Sequence, residues 1–174
     1  MDEAMADNLT DSLYDRDFHQ WALDQARAVE ALRDALTRSG GNGPATRDAL
    51  DWDHLVEELE GLAGRDRREL RSRLMTIIEH LLKLQLSPIP GPRLGWMETI
   101  RRSRREVELI LQQSPSLRRD MLGFLASNLV SRVVRETVQG LRDRGEITTR
   151  EANAITMASS PYTEEQLQIG RAHV

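Results

Sequence analysis

Apolar residues recur every three or four positions over most of the chain, which is the spacing of one face of an α-helix. The first such run predicts a helix that begins near Ser12 or Asp15, since either side chain can act as an N-cap. The helix ends before residues 39–50, where glycine, asparagine and proline predict a flexible loop. Its apolar positions are Leu13, Tyr14, Phe18, Trp21, Ala28, Val29, Leu32 and Leu36.

The second run is the longest and predicts one helix from Asp51, a good N-cap, to Leu86. At about 100° per residue, its apolar positions stay on one face from Leu55 onward. This face continues in register through Gly61 and Gly64. A turn at these glycines would shift the register, so we expect an unbroken helix.

Prolines and capping residues divide the next part of the chain. The prolines of residues 87–93 end the long helix, because proline cannot continue it, and a third helix is predicted over residues 94–113. Ser114 as N-cap, with Pro115 at the first helical position, starts a fourth helix. That helix is predicted to stop within residues 140–145, between two glycines.

Two short helices are predicted near the C-terminus. Thr148 or Thr149 can cap a helix that continues through Met157, and Thr163 with the acids after it resembles a capping box. No alternating strand pattern is present. We therefore expect an all-α fold: a single-domain bundle (1–174) of about four main helices with one long central helix, a small helical C-terminal appendage and a disordered segment 1–11.

Several segments, in order, resemble the bacterial "domain of unknown function 29" family, which is numerous in cyanobacteria and proteobacteria. The resemblance implies an all-helical fold, and it implies neither an activity nor a catalytic residue. The long loop after the first helix departs from the family pattern, and Leu84 replaces a frequent tryptophan. The segments are LYDRDFHQW (13–21), DWDHLVEELEGLAGRDRRELRSRL (51–74), HLLKLQ (80–85), GWMETIRRSRREVELIL (95–111), SPSLR (114–118) and PYTEEQL (161–167).

The amino-acid composition excludes several kinds of functional site. The 174 residues include no cysteine, which excludes disulfides, thiolate catalysis and cysteine-based zinc sites. The acidic N-terminus lacks the basic and apolar regions of a secretory signal, and no apolar run approaches the ~20 residues of a spanning helix. We expect a cytoplasmic protein without membrane association. Phosphate-loop, nucleophile-elbow and histidine-based zinc motifs are missing, so no cofactor and no catalytic residue is predicted.

The acids and histidines of residues 51–64 and 79–85 suggest a helix-bundle metal enzyme as one hypothesis. In one continuous helix, however, Glu58 and His80 would be roughly 33 Å apart and could not share an ion. Glu79 and His80 are adjacent and point about 100° apart, unlike a Glu-x-x-His pair. The metal enzyme is therefore the third hypothesis.

Charged residues inside the apolar stripe of the long helix are more informative about a functional site than these acids and histidines. Asp66 and Arg73 fall within the stripe, and Glu69 is placed to pair with Arg73 one turn later. Unpaired charges against a core are costly, so they should be paired, or the helix should leave the core there. Together with His80 on the stripe's flank, these residues are the candidate polar recognition site. The structural interpretation, in which the helix passes between partners or pairs with a second subunit, is favoured.

Arginine dominates the basic residues: of 24 Lys and Arg, only Lys83 is lysine. The arginine fork suits phosphate, but GC-rich codon usage accounts for the bias more simply. The clusters at residues 65–73 and 101–105 are interleaved with acids, which is typical of a salt-bridged helix face, and the net charge is −4. The candidate phosphate contacts are Arg101, Arg102, Arg104 and Arg105.

These patterns favour a non-catalytic helical interaction or assembly module that binds a protein partner or a second copy of itself. An arginine-mediated nucleic-acid-binding protein is the disfavoured alternative. The sequence leaves open whether the protein binds a small-molecule ligand.

Overall fold

The computed structural model describes residues 12–38, 50–157 and Leu167. Every regular element in these residues is helical, which confirms the all-α fold. Segment 1–11, nearly all of loop 39–50 and the last predicted helix (apart from Leu167, which is helical) lie outside the described residues. The helices are α1 (Leu13–Arg16), α2 (Phe18–Arg38), α3 (Trp52–Leu86), α4 (Arg93–Gln113), α5 (Leu117–Leu125), α6 (Asn128–Asp143) and α7 (Thr149–Met157).

The first predicted helix is in fact two, because Asp17 interrupts it. Ser12 caps α1, as one alternative predicted, by accepting a hydrogen bond from the amide of Asp15. Asp17 adopts φ −157° and its carboxylate accepts the Gln20 amide at 3.0 Å, so it caps α2. The same carboxylate accepts the amide and hydroxyl of Ser116 at 2.7 and 2.9 Å. This long-range contact holds the chain at the break.

The continuity of α3 is confirmed, since it is α-helical throughout Trp52–Leu86. Asp51 caps it by accepting the His54 amide at 3.2 Å. In the first half the predicted buried face is right for Ala63, which is buried, and wrong for Leu55 and Leu62, which are exposed, while Val56 is buried in addition. The buried face is therefore rotated by roughly 40° about the helix axis from the predicted one, at about 100° per residue.

The fourth predicted helix is also two, α5 and α6. Ser127 caps α6 by accepting the amide of Leu129, and α6 ends before Gly145, whose φ of +72° stops the helix as predicted. Ser114 is buried and accepts the backbone amide of His19 at 3.2 Å. Thr148 caps α7, as one alternative predicted, through a reciprocal capping box with Glu151.

The chain groups into two compact units. Unit 1 contains Met1–Arg68 and Gln113–Leu117, and unit 2 contains Glu69–Gln112 and Arg118–Val174. The single domain expected from the sequence stays a prediction. In unit 1 the buried apolar side chains are Ala22, Ala26, Val56, Ala63 and Leu117. In unit 2 the large fully buried side chains are Leu70, Leu74, Ile77, Val107, Met121, Leu141 and Leu167.

None of the helices in the described part of the chain is long and apolar enough to cross a membrane.

Candidate functional site

Two contacts fix the arrangement of α2 and α3 within unit 1. Near the start of α2, buried His19 donates from Nδ1 to the carbonyl of Ala63 at 3.0 Å. Near its end, Arg33 pairs with Asp53 at 2.7 Å. Since the earlier residue of α2 meets the later residue of α3, the two helices are antiparallel.

The buried and exposed apolar residues of this helix pair are distributed unusually. The buried apolar side chains that these two helices contribute to unit 1 are small: three alanines and one valine. Four leucines, which we call the exposed leucines, are instead 38–51% exposed. On α3 two of them flank half-buried Leu59 at a spacing of four and then three residues, so they form one stripe. The exposed leucines are Leu32 and Leu36 of α2 and Leu55 and Leu62 of α3.

An aromatic cluster lies at the junction of α1 and α2. Tyr14 meets Trp21 edge-on with 4.8 Å between ring centroids, and Phe18 is 5.4 Å from Tyr14 and 5.7 Å from Trp21. Edge-to-face pairs at these distances are favourable beyond their buried area. The cluster therefore stiffens the junction, while the Tyr14 ring remains half exposed.

The predicted pairing of Arg73 is confirmed, and a second partner joins it. Arg73 Nε donates to Glu69 Oε1 at 2.6 Å and lies 3.0 Å from Oε2 of Glu106 on α4. Because all three side chains are only about one third to one half exposed, the pairing offsets the cost of placing Arg73 beside the core. Glu106 could not be identified from the sequence, since its contact depends on how α3 and α4 pack.

The other two predicted polar residues have separate environments. His80 donates from Nδ1 to the carbonyl of Thr76, one turn earlier on its own helix, at 2.9 Å. Asp66 is half-buried and belongs to unit 1. Among the hydrogen bonds and ion pairs described, none joins His80 to Arg73 or Glu69, so the observed pair is Glu69 with Arg73.

The four predicted phosphate contacts fall into two groups. Arg101, Arg102 and Arg105 are exposed and line an open depression of about 600 Å³ on α4. Arg104 is half-buried and donates from Nε to the carbonyl of Leu167 at 2.8 Å. Burial lowers the pKa of Arg104, and the nearby carboxylate of Glu108 opposes that shift. The sequence could not separate Arg104 from its neighbours, because its partner is 63 residues away.

A polar cluster that the sequence did not indicate joins the end of α3 to the turn between α6 and α7. Buried Ser87 donates its hydroxyl to Glu146, and Arg144 pairs with the other carboxylate oxygen. The Glu146 side chain is only 6% exposed. The hydrogen bonds from Ser87 and then Arg144 lower the pKa of Glu146. The cluster therefore fixes the start of the proline-rich connector, residues 87–93, to the turn between α6 and α7.

In the ranges 12–38 and 50–157, no three His, Asp or Glu side chains are grouped closely enough to hold a metal ion.

Comparison with known proteins identifies the family. The model of the family described as "Domain of unknown function DUF29" matches residues 13–149, well over half of the chain. The chain belongs to this family. No curated protein and no solved structure gives a significant match. The membership agrees with the helical fold.

Proposed function

We propose that this DUF29 protein is a non-catalytic self-association module, in which the exposed leucines of α2 and α3 pack against the same face of a second copy. The observation that supports this proposal is the distribution of apolar side chains on α2 and α3 of unit 1. The small ones are buried, and four of the leucines are exposed. Clustered exposed apolar side chains mark interaction sites more often than isolated ones do.

A second copy suits this surface for two reasons. Two antiparallel helix pairs that meet through their apolar faces form a four-helix arrangement, a common packing for helices. The charges beside the face are of both signs, as in the Arg33–Asp53 pair, so the surface does not require a partner of one opposite charge. A two-fold dimer uses the same patch on both copies.

The strength of such a dimer can be bounded. Burying the exposed half of a leucine side chain gives about 1 kcal/mol, so four leucines from each copy give about 8 kcal/mol. Association itself costs at least about 4 kcal/mol in lost freedom of motion. We therefore expect a reversible dimer whose population depends on protein concentration.

Sedimentation equilibrium over a wide concentration series tests the proposal. We expect the average mass to rise toward twice that of the monomer, and the double substitution Leu55→Glu with Leu62→Glu to restore the monomer. The matched control is Leu109→Glu on α4, which is also exposed and should leave the dimer intact. A wild-type protein that stays monomeric at every concentration would refute self-association.

A second candidate function is phosphate binding, favoured by the depression that Arg101, Arg102 and Arg105 line. The same depression includes Glu98, which opposes an anion. Retention on heparin at low salt tests this function, and replacing the three arginines with alanine should abolish it. The control is Arg135→Ala, an exposed arginine on α6.

A further inference from the structure

Unit 2 contains an open apolar groove between the second half of α3 and the first half of α4. Its volume is about 320 Å³, and four of the six residues that line it are apolar. One of them, Met97, is 42% exposed, so part of the apolar wall faces solvent. The apolar lining residues are Leu81, Leu84, Met97 and Ile100, and the other two are Arg101 and Arg104.

The two arginines of the groove differ in what they can bind. Arg104 is half-buried, its Nε donates to the carbonyl of Leu167 at 2.8 Å, and the carboxylate of Glu108 lies near it. Arg101 is exposed, and its Nε donates to the carbonyl of Met97 at 3.4 Å, which holds the side chain beside the groove. Among the residues that the structure describes, no acid pairs with Arg101. Its terminal NH groups can therefore bind an anion.

The size of the groove favours a small molecule over a protein partner. At roughly 30 Å³ per non-hydrogen atom, as in liquid water, its volume holds on the order of ten such atoms. Ligand pockets in proteins are typically about 300–1,000 Å³, with a mostly apolar wall and a few polar groups. A stable protein interface instead uses roughly 20–30 residues from each side, far more than the six that line this groove.

We propose that this groove binds a small anionic amphiphile, with its alkyl chain against the apolar wall and its carboxylate on the terminal NH groups of Arg101. A guanidinium and a carboxylate can form two parallel hydrogen bonds, which gives this contact both strength and direction. The site is separate from the exposed leucines of unit 1. Unlike the candidate phosphate site, it does not include Arg102 or Arg105.

Octanoate, with about ten non-hydrogen atoms, matches the volume of the groove and is the probe. It is titrated into the full-length protein labelled with ¹³C at the methionine methyl groups, and the Met97 signal, assigned with Met97→Leu, is followed by NMR. We expect a saturable shift with a Kd on the order of a millimolar, while the signal of fully buried Met121 stays in place. A Met97 signal that octanoate leaves unchanged overturns the proposal.

Two related molecules test the two halves of the site. Butyrate has the same carboxylate on a shorter chain and should bind at least tenfold more weakly, because it loses apolar contact. Octanol has the same chain without the charge and should bind about tenfold more weakly, because it loses the charged hydrogen bonds. Octanol or butyrate that binds as tightly as octanoate contradicts the proposal.

Two exposed arginines of α4 give a matched pair of variants, and neither contributes to the buried core. Arg101→Gln should weaken octanoate binding about tenfold and leave octanol binding unchanged. Arg102→Gln, one residue along the helix and outside the groove, should bind octanoate like wild type. Equal affinity of wild type and Arg101→Gln for octanoate would show that the arginine does not hold the carboxylate.

Two further results would identify a different occupant. A Met97 signal that moves with protein concentration in the absence of octanoate would show that a second copy fills the groove. An equal shift with inorganic phosphate would show that Arg101 binds an anion without the apolar wall. Either result overturns the proposal, and neither depends on whether the exposed leucines of unit 1 form a dimer.

Discussion

At the scale of single residues, the cap of α3 is a titratable pair. Asp51 accepts the amide of His54, and its other carboxylate oxygen lies 2.5 Å from His54 Nδ1. This side-chain hydrogen bond raises the pKa of His54 above its ordinary 6.5, and the nearby charges of Asp51, Glu57 and Asp53 add to the effect. The same hydrogen bond lowers the pKa of Asp51. Each group therefore favours the charged form of the other.

We predict that an NMR titration of His54 gives a pKa above 6.5 and that Asp51→Asn moves it back toward that value. Because the folded-state pKa is raised, the pair's contribution to stability is complete below the unfolded pKa and is lost as pH rises through the folded pKa. Asp53→Asn is the control and should shift the pKa of His54 less, since Asp53 acts only through space. An unchanged pKa in Asp51→Asn would show that the pair does not form in solution.

The buried carboxylate of Glu146 provides the second prediction. Replacing Ser87 with alanine removes a hydrogen bond to a charged, buried group, so we expect a loss of about 1–3 kcal/mol in the free energy of unfolding. Since the pKa of Glu146 is lowered, the interaction stabilises the fold above the ordinary value of 4.5 and is lost as pH falls through the folded pKa. Urea unfolding of wild type and Ser87→Ala should therefore differ at neutral pH and converge in strong acid.

The control for Ser87→Ala is Glu136→Gln on α6, which breaks an exposed ion pair with Arg132. Exposed pairs contribute little, so that variant should unfold almost like wild type. A Ser87→Ala protein as stable as wild type at neutral pH would contradict the structural role of Glu146.

Whether the sequence reveals a contact depends on how many residues separate its two partners along the chain. The caps Asp51 and Thr148 act within one turn, and their residue types indicate them directly. The contact of Ser87 with Glu146 spans 59 residues, and that of Asp17 with Ser116 spans 99. Local pattern contains no information on such pairs, because they form only when the helices pack.

At the scale of helices, continuity was predictable but the buried face was not. The register argument for α3 holds through both glycines, since an unbroken helix preserves the phase of its side chains. The same periodicity placed Leu55 and Leu62 inside together with Ala63, whereas the structure buries Val56 and Ala63 and leaves the two leucines exposed. Periodicity locates the apolar side chains of a helix, but which of them are buried depends on how the helices pack, and local sequence does not contain that information.

The continuity of α3 gives the third prediction. A Cβ atom added at Gly61 meets no other atom within 4 Å, so Gly61→Ala should raise the free energy of unfolding by about 0.5–1 kcal/mol through its higher helix propensity. At Gly64 the added atom would lie 2.8 Å from the tip of Arg68, which must move, so Gly64→Ala should stabilise less. Thermal unfolding of both variants checks this order. Destabilisation by Gly61→Ala would indicate a non-helical turn at that glycine.

At the scale of the whole molecule, the sequence was sufficient for the fold class and the family but not for the candidate surface. The ion pair of Glu69 with Arg73 was visible because it spans one helical turn. The exposed leucines were assigned to the core, because a leucine at helical spacing looks the same in the sequence whether the fold buries it or not. Only the structure shows that these four side chains are exposed.

Salt dependence gives the fourth prediction and discriminates between the two candidate functions. Each chain has a net charge of −4, so two copies repel each other weakly, and salt screens that repulsion. A dimer held by leucines should therefore bind equally or slightly more tightly between about 50 and 200 mM salt. Three arginine–phosphate contacts would instead weaken nucleic-acid binding on the order of 40-fold over that range. Sedimentation equilibrium and DNA anisotropy at matched salt concentrations measure both. A dimer that dissociates as salt rises would point to ionic rather than apolar contacts between the copies.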